Sequence, residues 1–141
     1  SSELYLKLYE EGLIDSSFGG GFETIDGCAM LMCSGDSDDP QAVRDAVLAQ
    51  AGKLAREGVA KADYDRMLRC ALGSRFKGLD NFDGTCFRLC AYHMTEFDYF
   101  DFPRIYESIT REEIRAFLAE NVRQDNCALS VIYPNAQEET A

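Results

Sequence analysis

The pair Asp26-Gly27 is the sequence feature that most constrains the fold of this chain. It separates two strand-like segments, residues 18–24 and 28–33. A type I′ turn needs positive φ at both central positions, and Asp-Gly tolerates this better than most pairs. The sequence therefore predicts an antiparallel β-hairpin. The returning strand, CAMLMC, is so apolar that we expect it to be central in its sheet.

Helical patterns surround this hairpin. Apolar residues at helical spacing predict helices over residues 2–11, 39–58, 62–76 and 84–97, and from 110 onward. Gly12 can end the first helix because glycine accepts left-handed dihedrals. Asp39 and Pro40 suit a helix start, and Thr110 with Glu113 forms a capping box.

Two further segments complete the predicted fold. Pro103 is expected to keep the aromatic segment DYFDFPRIY, residues 98–106, from being helical. The apolar segment CALSVIY, residues 127–133, predicts a closing strand that Pro134 stops. The order predicts a single α+β domain over residues 1–134, a two-layer fold in which several helices pack on one face of a small antiparallel or mixed sheet. Residues 135–141 are polar and are expected to be a disordered tail.

Composition excludes several classes of partner. The 141 residues carry a formal net charge of −11, which opposes binding to nucleic acid. No apolar run reaches the roughly 18 residues of a membrane helix. Each of the six cysteines lies within an apolar pattern, where a reduced cysteine packs as a small hydrophobe, and no CxxC pair occurs. We therefore expect reduced thiols and a cytoplasmic location.

One helical face could hold a metal. Cys86, Cys90 and His93 follow i, i+4, i+7 spacing, and thiolate and imidazole are good zinc ligands. A fourth ligand is missing, and the spacing is not that of known zinc motifs. Burial in the core is the favoured interpretation, with a small thiol-metal protein as the alternative. His93 is the only histidine, so no hydrolytic site with two histidine ligands can form.

Other groups match a chemical site only in part. The glycines Gly19–Gly21 lead into strand residues rather than a helix, so a bulge or close backbone approach is favoured over a phosphate loop. Arg75 and Lys77 could bind an anionic group or a peptide terminus, although a solvated surface is the favoured interpretation. The serines have no histidine nearby in sequence, and the paired carboxylates suit helix starts better than acid–base catalysis. These remaining candidates are Ser16, Ser17, Ser74, Asp38, Asp39, Glu112 and Glu113.

Three stretches carry a resemblance to a known family: SSELYLKLYEEGLID, DGCAMLMCSGDSDDP and FPRIYESITREEIRAFLAENV. Over residues 2–134 the chain resembles the C-terminal, noncatalytic half-domain of the insulinase-like, or pitrilysin-like, zinc metallopeptidases. These are inverzincins, and the bacterial processing-peptidase-like members look most similar. In this family a helix ending in L-x-E-x-G-L leads into a hairpin, and an S-I-T-x-E-x-I motif starts a late helix.

The resemblance implies that catalysis belongs to a different domain from this one. Zinc is bound through H-x-x-E-H in an N-terminal domain, so this chain is expected to hold no cofactor, no metal site and no catalytic residue; its substrate-binding residues are unknown. In many members an arginine and a tyrosine assist the substrate at the zinc site. This chain has Ala29 and Pro40 at the corresponding positions, and neither side chain can assist in that way. The expected partners are the N-terminal catalytic domain of the same polypeptide and a peptide substrate.

The family comparison also implies a strand before Ser1. Its absence here predicts a free sheet edge and, through it, a possible homodimer. The chain alone is then expected to be inactive. Within the whole protein it is expected to enclose part of a peptide chamber and to dock to the zinc-bearing domain. A standalone module that pairs with another protein through its sheet edge is the alternative.

Overall fold

One β-hairpin and six α-helices form the regular structure of residues 2–25 and 27–134, which are the residues that the computed structural model describes. The strands are β1 (Gly19–Ile25) and β2 (Cys28–Ser34). The helices are α1 (Glu3–Glu10), α2 (Pro40–Glu57), α3 (Lys61–Gly78), α4 (Phe82–His93), α5 (Phe102–Ser108) and α6 (Arg111–Asn121). The predicted α+β class is confirmed.

The chain divides into two compact units, Ser1–Gly52 with Val122–Ala141 and Lys53–Asn121. In the first unit the buried apolar side chains of the described residues are Leu8, Ile14 and Ala51. In the second unit they are Val59, Tyr99 and Phe102. The single domain expected over residues 1–134 stays a prediction, and the expected disordered tail, 135–141, lies outside the described residues.

Helix α1 forms as its sequence predicts. The hydroxyl of Ser2 caps it by accepting a hydrogen bond from the Tyr5 backbone N–H at 3.2 Å. Leu8 is fully buried, whereas Leu6 on the other side is 48% exposed. Gly12 ends the helix with a φ of +70°, a dihedral that glycine adopts without a steric cost.

The hairpin is regular and exposed. Its antiparallel register pairs Phe22 with Leu31 across the two strands, and Gly27 in the turn has a φ of +81°. The other predicted turn residue, Asp26, lies outside the described residues. All seven residues of each strand are exposed. The prediction that β2 is central is wrong, because the sheet has only two strands in the part of the chain that the structure describes.

The base of the hairpin is held by a cluster of short contacts. The Asp15 carboxylate accepts hydrogen bonds from the backbone N–H and hydroxyl of Ser17, which lower its pKa. The Ser17 hydroxyl in turn accepts a hydrogen bond from the Asp36 backbone N–H at 3.0 Å. A Cβ atom at Gly35 would lie 2.7 Å from the Phe18 Cα atom, so only glycine fits this approach. These five residues are called the hairpin base below.

Side-chain caps begin two further helices. Asp39 accepts a hydrogen bond from the Ala42 backbone N–H at 3.0 Å and begins α2. Asn81 accepts a hydrogen bond from the Gly84 backbone N–H at 2.9 Å and begins α4, which covers Phe82–His93 where the sequence predicted 84–97. No helix within the described ranges has both the length and the apolar character needed to cross a bilayer.

The predicted capping box at α6 is confirmed, and it makes stability depend on pH. Glu113 accepts hydrogen bonds from the backbone N–H and hydroxyl of Thr110, and the Glu113 backbone N–H donates to that hydroxyl. The Thr110 backbone bond, followed by the hydroxyl bond, lowers the pKa of Glu113 below 4.5. A lowered folded-state pKa stabilises the fold above the unfolded pKa, and this contribution disappears as the pH falls through the folded-state value.

We therefore expect Glu113→Gln to lower the melting temperature at pH 7, and the difference from the unsubstituted chain to shrink as the pH falls below 4.5. Thermal unfolding followed by circular dichroism at several pH values measures this. The matched control is Glu107→Gln, since Glu107 is exposed on α5. A deficit for Glu113→Gln that is independent of pH would contradict the assignment.

The aromatic segment around Pro103 is helical, contrary to the sequence prediction. A 3₁₀ turn over Tyr99–Asp101 runs directly into α5, and Asp98 caps this turn by accepting a hydrogen bond from the Phe100 backbone N–H at 2.9 Å. Pro103 lies in the first turn of α5, where its missing N–H has no helical partner to lose.

The predicted closing strand is also wrong. Residues 127–133 form no ladder with β1 or β2, although Cys127 at their start has extended dihedrals. Ile132 is 95% exposed in this segment. An apolar, β-branched composition favours strand conformation, but a strand forms only where a partner edge pairs with it.

Candidate functional site

The cysteine and histidine residues of α4 lie in solvent. Cys86, Cys90 and His93 are all exposed, so the prediction that they form core is wrong. The helix is rotated so that Tyr92 faces inward. Its ring stacks on that of Tyr99, with 5.6 Å between the ring centroids and 13° between the ring planes. Within residues 2–25 and 27–134 no group of three or more His, Cys, Asp or Glu side chains could hold a metal ion.

The triple glycine pairs as strand. Gly19, Gly20 and Gly21 belong to β1 and continue its ladder without interruption, so they do not open a helix. A Cβ atom at Gly20 would lie 3.2 Å from the Met32 carbonyl oxygen. The expected close backbone approach is therefore confirmed at Gly20, and the geometry is not that of a phosphate-binding loop.

The candidate nucleophiles and carboxylates have structural partners. Ser17 belongs to the hairpin base, Asp39 caps α2, and Glu112 lies 3.1 Å from the Arg115 guanidinium on α6. The remaining candidates are exposed: Ser16, Asp38 and Ser74. Ala29 lies in β2 opposite Thr24, and Pro40 is the first residue of α2, so neither position offers a side chain that can donate a hydrogen bond.

The hairpin presents a large apolar surface. Five apolar side chains, between 40% and 58% exposed, form what we call the hairpin surface: Phe22, Ile25, Met30, Leu31 and Met32. The register places Phe22 and Leu31 on one face of the hairpin and the other three on the opposite face. The strands carry no lysine or arginine and a single carboxylate, Glu23. An isolated two-stranded hairpin is marginally stable in water, and exposed apolar side chains on both of its faces favour cover by another surface. The hairpin surface is therefore a candidate interface.

A thiol pair lies in the same unit. Partial desolvation raises the pKa of Cys33, and the neighbouring Cys127 raises it further, although the Cys33 side chain as a whole is exposed. A raised pKa keeps Cys33 a neutral thiol at pH 7. Since the thiolate is the reactive form, Cys33 is not an activated nucleophile.

An aromatic cluster in the second unit surrounds Arg75. The Arg75 Nε–H donates a hydrogen bond to the Tyr106 hydroxyl at 2.9 Å in a part-buried position. That bond, assisted by the fields of Tyr106, Tyr92 and Tyr99, raises the pKa of Arg75. The Tyr99 hydroxyl is buried without a hydrogen-bond partner among the described residues, an arrangement that costs about 1–3 kcal/mol. Arg75 is thus not the solvated surface residue that the sequence favoured.

Beside this cluster lies an apolar groove of about 220 Å³. Its lining residues come from α3, α5, α6 and the segment between α5 and α6: Tyr64, Met67, Leu68, Ala71, Tyr106, Ile109 and Ile114. The α3 residues belong to the apolar pattern that predicted a helix over residues 62–76, and here they line one side of this open groove. Arg75 follows Ala71 by one helical turn and is not itself a lining residue of the groove.

Two comparisons connect the chain with known proteins. It is 23% identical over 139 residues to the uncharacterized zinc protease YmfH of Bacillus subtilis (strain 168), and the match covers 96% of this chain and 32% of that protein. Its fold is similar to that of a crystal structure described as an M16-like peptidase from Alicyclobacillus acidocaldarius, with a TM-score of 0.81, 19% identity, and coverage of 89% of this chain and 30% of the other. No family model matches the chain.

The chain therefore spans about a third of the length of each of these two proteins. At 19% identity the structural likeness establishes the fold. Both comparisons agree with the resemblance that the helix, hairpin and late-helix motifs indicated in the sequence.

Proposed function

Since the chain carries the fold of an insulinase-like metallopeptidase domain, we propose that it is the noncatalytic C-terminal domain of a zinc-dependent peptidase. In this role it forms part of the peptide chamber and docks to the zinc-bearing domain of the same polypeptide. Zinc, with its catalytic base, belongs to that other domain. The cytoplasmic location expected from the cysteine pattern stays a prediction.

The exposed hairpin surface carries this proposal. Leu31 and Phe22 are paired across the strands and are more than half exposed, which is an unfavourable arrangement unless another surface covers them. In the matched zinc protease about two thirds of the length lies outside the matched region, which is enough chain to supply that cover.

The acidic charge of this chain indicates the charge expected on the partner surface. Three carboxylates lie at or next to the hairpin base, those of Asp15, Asp36 and Asp38, and the whole chain has a net charge of −11. Complementary interfaces place basic groups opposite acidic ones. The docking partner is therefore expected to surround an apolar centre with lysine or arginine side chains, and association should weaken as the salt concentration rises.

A second occupant of the same surface is another copy of this chain. Both strands of the hairpin have an unpaired outer edge in the part of the sheet that the structure describes, and such edges template strand pairing. This supports the alternative of a standalone module or homodimer, and the oligomeric state in solution distinguishes it from docking within one polypeptide.

The test is to produce this chain and the remainder of its full-length polypeptide as separate proteins. We expect a one-to-one complex in sedimentation velocity, zinc in the other protein only, and no peptide cleavage by this chain alone. Zinc-dependent cleavage by this chain alone would refute the noncatalytic role. A homodimer that does not exchange with the other protein would favour the alternative.

A further inference from the structure

Arg75 is a part-buried cation without a counter-anion. Its hydrogen bond goes to the neutral Tyr106 hydroxyl, and the two Nη groups of its guanidinium have no acceptor within residues 2–25 and 27–134. Some other arginines meet carboxylates, as Arg66 meets Asp63 and Arg104 meets Asp101. A charge that is partly removed from water without a paired anion loses some of its hydration, and a bound anion would offset that loss.

The position of this cation matches the apolar groove. Tyr106 both lines the groove and accepts the Arg75 hydrogen bond, so the guanidinium lies next to a residue of the groove wall, although Arg75 is not itself a lining residue. The volume, about 220 Å³, is below the roughly 300–1,000 Å³ of pockets for drug-sized ligands. It suits one or two amino-acid side chains better than a cofactor.

We propose that this groove binds the C-terminal residue of a peptide, with an apolar side chain between α3 and α5 and the terminal carboxylate on the Arg75 guanidinium. The free Nη groups form the planar fork that matches the two oxygens of a carboxylate. Met67 and Ile109, 44% and 40% exposed on the groove wall, would be covered by the bound side chain. The inference rests on the proposed function, which supplies peptides as the ligand class.

Direct binding to the full 141-residue chain tests this. The probe is an N-terminally fluorescein-labelled hexapeptide that ends in leucine with a free carboxylate, and its partner probe ends in leucine amide. We expect fluorescence anisotropy to give at least tenfold weaker binding for the amide, because it lacks the anion. Arg75→Gln should weaken binding of the acid by a similar factor and leave binding of the amide unchanged.

Three further variants separate recognition from folding. Lys77→Gln is the matched control, since Lys77 is exposed on the same helix two residues away, and it should change affinity less than twofold. Arg75→Lys keeps the charge but not the fork, so it should bind between Arg75→Gln and the unsubstituted chain. Tyr106→Phe removes only the hydroxyl that orients Arg75, and a reduction of a few fold is expected.

Several outcomes would overturn the inference. Equal binding of acid and amide would mean that the groove accepts an internal segment. Displacement of the peptide by decanoate at concentrations below the peptide's own Kd would assign the site to alkyl carboxylates. Absence of binding by either peptide would also refute it. In the unsubstituted chain, docking to the rest of the polypeptide without acid-selective peptide binding refutes this inference alone. Acid-selective peptide binding without docking refutes the proposed function alone.

Discussion

Leu31→Glu is expected to abolish docking while leaving the chain folded. Leu31 is 55% exposed on β2, opposite Phe22 at 56%, so a charge there remains in water in the isolated chain. In the complex the same charge would be buried without a partner. Loss of one central apolar contact costs about 2 kcal/mol or more at an interface, which is about 30-fold in Kd. Titration of the separately produced partner, followed by anisotropy, measures the change.

Phe87→Glu is the matched control for this experiment. Phe87 is 73% exposed on α4, outside the hairpin, and the substitution introduces the same charge. We expect Phe87→Glu to dock with nearly unchanged affinity. Leu31→Lys should disrupt docking as Leu31→Glu does, since either charge loses its hydration on burial. If both hairpin variants dock normally, the hairpin surface is not the interface.

Leu8→Ala is expected to reduce the free energy of unfolding by about 2–5 kcal/mol. Leu8 is the fully buried side chain of α1, and this eight-residue helix is too short to be stable by itself. Removing the side chain therefore leaves a cavity and releases the helix from its packing. Urea unfolding followed by circular dichroism gives the difference.

Leu6→Ala is the control for Leu8→Ala on the same helix. Leu6 is 48% exposed, and its truncation is expected to change the free energy of unfolding by about 0.5 kcal/mol or less. Equal losses for the two variants would place Leu8 outside the core and contradict the assignment of its burial.

Much of the fold follows from local sequence signals. Asp39 and Thr110 begin helices because their side chains satisfy backbone N–H groups within four residues of themselves. Gly12 and Gly27 adopt the positive φ values that their positions in a helix end and a turn require. Each of these signals depends on a few neighbouring residues, which a single sequence contains in full.

The errors in the sequence prediction concern contacts between distant residues. Residues 127–133 have a strand composition, but pairing depends on an edge that composition does not specify. The apolar pattern around Cys86 and Cys90 marks a helix and leaves its rotation open; Tyr92 decides it by stacking on Tyr99. Pro103 was assigned by its general effect on helices, whereas its place within the first turn of α5 decides the outcome.

The candidate groove was accessible to sequence reasoning only in part. The apolar face of α3 was predicted, but the partner that holds Arg75, Tyr106, is 31 residues away in the chain. Local spacing cannot report such a contact. The less favoured sequence interpretation, in which Arg75 binds an anion or a peptide terminus, depends on this contact with Tyr106.

The hairpin base affects the expected rate and affinity of docking between this chain and the proposed zinc-bearing domain. Gly35 is pressed against the Phe18 backbone, and Ser17 is bonded on both sides, to Asp15 and to Asp36. A hairpin anchored in this way is ordered at its base before it meets the proposed docking partner. Preorganisation of this kind spares a complex the entropy of ordering a flexible segment, so a variant such as Gly35→Ala would slow association without touching the contact surface.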